Sequence, residues 1–83
     1  MVRLEYDPEA DAMYLGLVEA SVSRTEQVDE GTLVDLDNGG LVVGIEIVHP
    51  DRQWPLETIL ERFSLDRLDA DTLRKAFGSR SVA

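Results

Sequence analysis

Three reversal signals, Asp7-Pro8, Asp29-Glu30-Gly31 and Asn38-Gly39-Gly40, cut the first half of this chain into short segments of β-forming residues. A parallel crossover needs about a dozen residues or more. No gap here holds one in addition to its strands, so successive segments are expected to pair antiparallel. The first segment, Val2 to Tyr6, puts Val2, Leu4 and Tyr6 on one face and Arg3 and Glu5 on the other. Ala12 to Val18 is apolar on both parities, with Met13, Leu15 and Leu17 opposed to Ala12, Tyr14 and Val18. Such a strand is expected to be covered on both faces. Ser21 to Val28 is mostly polar and reads as an exposed strand near an edge. Thr32 to Asp37 and Leu41 to Val48 complete five strands.

After His49-Pro50 the period changes. Leu56, Ile59, Leu60 and Phe63 recur at helical spacing, with Pro55 suited to a first helical position. A second helix is expected to begin near Asp69 or Asp71, to carry Leu73, Ala76 and Phe77 on one side, and to stop at Gly78. The fold class is therefore α+β: a five-stranded antiparallel β-meander followed by one or two short C-terminal helices packed on the sheet. With 83 residues the chain is expected to form one domain. Residues 1–49 would form the meander, 50–78 the helical tail, and 79–83 a frayed end.

The charge balance narrows the function classes. Seventeen acidic against 8 basic residues give a net charge of -9, a field that repels phosphate backbones and anionic lipid and attracts a basic protein. No nucleic-acid partner and no membrane partner are expected; a small basic protein fits. The absence of cysteine suits a reducing compartment. MVRLEYDPEADA has acidic residues where a signal peptide needs an apolar core, and Glu46 interrupts the longest apolar run, so the expected location is cytoplasmic.

Three stretches, YDPEADAMY (Tyr6 to Tyr14), DEGTLVDLDNGG (Asp29 to Gly40) and LVVGIEIV (Leu41 to Val48), together resemble the domain-of-unknown-function 2283 family. The resemblance implies a small prokaryotic protein without an established activity or cofactor. Because some relatives are encoded beside toxin-like proteins, it also implies an antitoxin-like or accessory role. The tail after His49 lies outside the resemblance.

Several polar residues carry candidate chemistry. Asp35, Asp37, Gly40 and Glu46 match the lettering of a calcium loop. Yet TLVDL and LVVGIEIV are β-forming and would hold the segment extended rather than curled around an ion, so an acidic hairpin is the preferred reading. Asp35, Asp37 and Glu46 remain the metal candidates. Asp7 and Asp11 suit turn chemistry, and Glu46 requires solvent or a partner such as Tyr6, Tyr14, Arg3 or Arg24. His49, the sole histidine, is a general base or single ligand in one reading and an ordinary strand-end residue in the preferred one. Trp54 is either an interface anchor or a plug for the core.

No catalytic residue and no cofactor are expected. The favoured function is a non-catalytic interaction or self-assembly module, a homo-oligomer by default, with Met13, Leu15, Leu17 or their opposites, and Trp54, as interface candidates. The alternative is a small metal-dependent enzyme or metal-binding protein built around Glu46.

Overall fold

A computed structural model describes residues 2–78, and each of the three reversals is a turn between antiparallel strands. The strands are β1 (Arg3–Asp7), β2 (Ala12–Gly16), β3 (Arg24–Asp29), β4 (Thr32–Leu36) and β5 (Val42–Val48), followed by helices α1 (Leu56–Arg62) and α2 (Arg67–Phe77). The α+β class with an antiparallel sheet and two C-terminal helices is as expected. The fraying expected for residues 79–83 lies outside the described residues.

The strand order departs from a simple meander. It is β1-β2-β5-β4-β3, with β5 inserted between β2 and β4. A strict meander would place β3, the polar segment RTEQVD, at the centre of the sheet. The observed order puts that segment on one edge and β1, RLEYD, on the other, and gives the centre to VVGIEIV. Burying apolar strands centrally avoids desolvating the charged ones.

One face of the sheet carries the core. Leu15, Ile45 and Val34 stand in register across β2, β5 and β4, all fully buried. Met13, Ile47 and Thr32 form the adjacent row. Trp54, just before α1, and Leu56, Ile59 and Leu73 of the helices close this face, each fully buried. At about 1.5–3 kcal/mol per large apolar side chain removed from water, this single cluster dominates the stability of so short a chain. Trp54 packs against Phe77 at a centroid distance of 5.4 Å and 59° between planes, so it plugs the core, as one of its two readings had it.

The helices are set by local signals. Pro55 occupies the N-cap of α1 rather than its first turn. Asp66, not Asp69 or Asp71, caps α2, its carboxylate accepting from the Leu68 N–H at 2.9 Å. Several acidic residues lie close together in sequence, and the one preceding the first turn takes the cap. The link between helices is tied to the sheet by the Val42 N–H donating to Ser64 O at 2.9 Å.

Candidate functional site

The face of the sheet away from the helices is built around Tyr14. Its phenol crosses β5 above Gly44, where any Cβ would overlap the ring and its hydroxyl. It ends on β4 in a hydrogen bond donated to Asp35 Oδ2 at 2.9 Å. The other carboxylate oxygen accepts from Thr25 Oγ1 on β3 at 2.6 Å. The result is a polar line from β2 to β3 across the open face. Burial, and then the Asp35 hydrogen bond, pushes the Tyr14 phenol up to about 12. The second face of β2 is thus covered from within by Tyr14 itself.

These contacts also assign the three metal candidates. Asp35 is bonded to Tyr14 and Thr25. Asp37 closes the β4-β5 turn, its Oδ1 accepting from the Gly39 and Leu41 N–H groups at 2.9 Å each. Gly40 in the same turn takes a φ of +88°, open to glycine at no steric cost. Glu46 is half-buried opposite Tyr14 and Leu33. Among the described residues no three His, Asp or Glu are grouped to hold an ion. The calcium lettering folds as the hairpin that β-propensity favoured.

A second polar assembly sits at the end of the sheet where the β1-β2 turn meets the end of β5. Asp7 holds that turn by accepting from the Glu9 N–H at 3.0 Å. Asp11 does not stay within the turn. Its Oδ1 accepts from Tyr6 Oη at 2.7 Å and its Oδ2 meets His49 Nδ1 at 2.8 Å. The main chains are joined as well, the His49 N–H donating to Asp11 O at 2.7 Å. Both residues take left-handed backbone, with φ of +47° at Asp11 and +56° at His49. The His49 contact first, and then Tyr6, hold the Asp11 carboxyl below the usual range, while Asp11 raises the Tyr6 phenol. An ionised carboxylate only accepts, so the Nδ1 that meets it carries the proton of that bond.

Asp11 and His49 are accordingly coupled residues rather than an isolated turn aspartate and strand-end histidine. Sequence reasoning did not pair them, because they meet only once β5 lies beside β2. It also passed over Arg52, whose guanidinium donates to Val48 O at 3.0 Å, to Asp29 Oδ2 at 3.3 Å and to Thr32 Oγ1 at 2.8 Å. A shallow cleft of about 500 Å³ lies between His49 and Arg52, but the Arg52 charge is already matched to Asp29.

The interface candidates fall elsewhere than expected. Met13, Leu15, Leu17 and Trp54 are 6, 0, 3 and 0% exposed, inside the chain's own core. The exposed large apolar side chains on the sheet are Leu4 and Tyr6 of β1, at 54 and 52%. They lie in register with Leu15 and Met13, on the core face, beyond the cover of the helices.

The main chain of β1 is also open. The Leu17 N–H donates to Val43 O and the His49 N–H to Asp11 O, so the odd residues of this β2 ladder point toward β5. By the alternation of an antiparallel ladder, its even residues point toward β1 and bond Arg3, Glu5 and Asp7. The N–H and C=O groups of Leu4 and Tyr6 therefore face outward. The other edge is less regular: β3 carries a bulge between Gln27 and Asp29, and Glu26 pairs with Arg24 at 3.0 Å. A bulge of that kind blunts an edge, whereas the charged pair has its counterpart on β1 in Arg3 and Glu5.

No described helix is long and apolar enough to cross a membrane. Comparison with curated proteins gives no match, and comparison with solved structures gives none. The family model "Protein of unknown function (DUF2283)" matches residues 3–49, which span the whole sheet, both polar assemblies and the open β1 edge. With more than half of its 83 residues so matched, the chain belongs to the DUF2283 family.

Proposed function

We propose that the chain is a non-catalytic association module that uses the β1 edge, with a second copy of itself as the partner. The observation that carries this reading is the state of β1: every residue of the strand is exposed, its outward main chain is unpaired among the described residues, and Leu4 and Tyr6 extend the core face into solvent. Unpaired edges with apolar side chains are templates for strand addition. Two copies meeting there need no second gene product.

Light scattering on a size-exclusion column, run over a range of loading concentrations, tests the reading. The expected result is a mass rising from one chain toward two for the native protein and staying at one chain for Leu4→Asp. A native protein that stays at one chain throughout contradicts it. The net charge of -9 favours a small basic partner as a second reading, antitoxin-like or accessory. That partner would be recovered at equal amounts from a native lysate. The metal-dependent alternative gains no support from the separate duties of Asp35 and Asp37.

A further inference from the structure

We infer that two copies join through β1 in one register, antiparallel and centred on Leu4, to give a continuous sheet with the five strands of each chain. This rests on the association reading above and specifies its geometry. A twofold axis through a strand edge pairs residues whose numbers have a constant sum, and keeping like faces together requires that sum to be even. The outward main-chain groups belong to Leu4, Tyr6 and, by continuation, Val2, so these must pair with one another.

A centre on any residue from Arg3 to Tyr6 satisfies both conditions, but centred on Arg3 the two Arg3 side chains stand directly opposite each other, and centred on Tyr6 Glu5 faces Asp7 twice. Centred on Glu5, Leu4 faces Tyr6 and Arg3 faces Asp7, but the two Glu5 carboxylates stand directly opposite each other. Like charges directly opposed across strands are destabilising. Centred on Leu4, every pair from Val2 to Tyr6 is complementary. Leu4 meets Leu4 and Val2 meets Tyr6 on the core face, while Arg3 meets Glu5 twice on the open face. Within one chain Arg3 Nε already bonds Glu5 Oε2 at 2.7 Å, with both side chains more than half exposed. Pairing would join the two such pairs into an alternating ring of charges. The uncovered Leu4 and Tyr6 would close a stripe between the two helical layers.

The charges give a test that leaves the fold alone. Arg3→Glu places acidic residues at both positions, and Glu5→Arg places basic residues at both. Each variant alone should self-associate about tenfold more weakly than the native chain, from two opposed like-charge contacts. An equimolar mixture should recover native affinity, because position 3 of one chain then faces position 5 of the other with opposite sign. The protein has no cysteine, so oxidation of single variants reads the register independently. Leu4→Cys should form a disulfide dimer. Glu5→Cys should not, since positions offset by two residues lie beyond the roughly 7 Å limit between Cα atoms.

Rescue by mixing together with the Leu4→Cys dimer is the expected result. A native dimer with no rescue, or with cross-linking through Glu5→Cys instead, overturns this register while leaving association intact. A native protein that never dimerises overturns the association reading itself.

Discussion

The phenol of Tyr14 lies over Gly44 on the adjacent strand, in the space a β-carbon would fill. The sheet therefore depends on a missing side chain as much as on a present one. Gly44→Ala is expected to lower stability by about 1–3 kcal/mol, the usual cost of overpacking. Chemical denaturation checks this. In a Tyr14→Ala background the same substitution should cost far less, because the ring it displaces is gone.

Tyr14 also predicts an alkaline limit. Its folded value, pushed up to about 12, stands above the ordinary value of 10.0. A raised folded value contributes stability that is fully present below pH 10 and is lost as pH rises toward 12. The 83 residues include two tyrosines, and Tyr6 is raised as well, by Asp11 foremost. Absorbance titration of phenolate should thus show both ionising above the free amino acid, with Asp11→Asn bringing Tyr6 back down and leaving Tyr14 in place.

At the acid end the sign reverses. Asp11 is held low by His49 first and Tyr6 second. Asp29 is held low although burial opposes it, because Thr32, Gly31 and Arg52 together outweigh that cost. Depressed carboxyls contribute stability present above their unfolded value and lost as pH falls through the folded one. Thermal unfolding followed from pH 6 downward should show the melting temperature begin to fall near pH 4, with a shallower fall in Asp11→Asn.

His49 offers a test of backbone strain. Its side chain is 66% exposed and its φ is +56°. Replacement by Val should be less stable than replacement by Gly by about 1–2 kcal/mol, since the left-handed region penalises a β-carbon. Equal stabilities in urea titrations would show that φ relaxes.

Trp54 is fully buried, and its Nε1 has no hydrogen-bond partner among the described residues. Trp54→Ala should cost about 3–5 kcal/mol, a large part of the roughly 4–12 kcal/mol expected for a chain of this length. Trp54→Phe should cost much less, as it removes the unpaired N–H along with some packing. Calorimetry of both variants separates the two effects.

How much of this was legible in the sequence depended on whether the signal was local. The alternation of Met13, Leu15 and Leu17, the turns at Asp29-Glu30-Gly31 and Asn38-Gly39-Gly40, and the Leu56, Ile59, Phe63 period are local, and each marks its element correctly. The position of β5 is not local. Any antiparallel neighbour satisfies the turns, and only the comparison of polar RTEQVD with apolar VVGIEIV shows which strand belongs in the middle. The Asp11-His49 pair follows from that order, so it was hidden with it; that the helices, rather than a partner, cover Met13, Leu15 and Leu17 depends likewise on packing between distant segments. Leu4 was visible as an alternating apolar residue, but its exposure depends on how far the helices extend across the sheet.

Hydrogen exchange of the β1 amides, resolved by NMR at low and at high protein concentration, tests association through this edge most directly. The amides of Arg3, Glu5 and Asp7 face β2 and should be protected equally at both concentrations. Those of Leu4 and Tyr6 face outward and should exchange freely when dilute and slow markedly when concentrated. Leu4 and Tyr6 amides that exchange at the same fast rate at every concentration, in a protein shown to dimerise, would place the contact elsewhere and contradict the account.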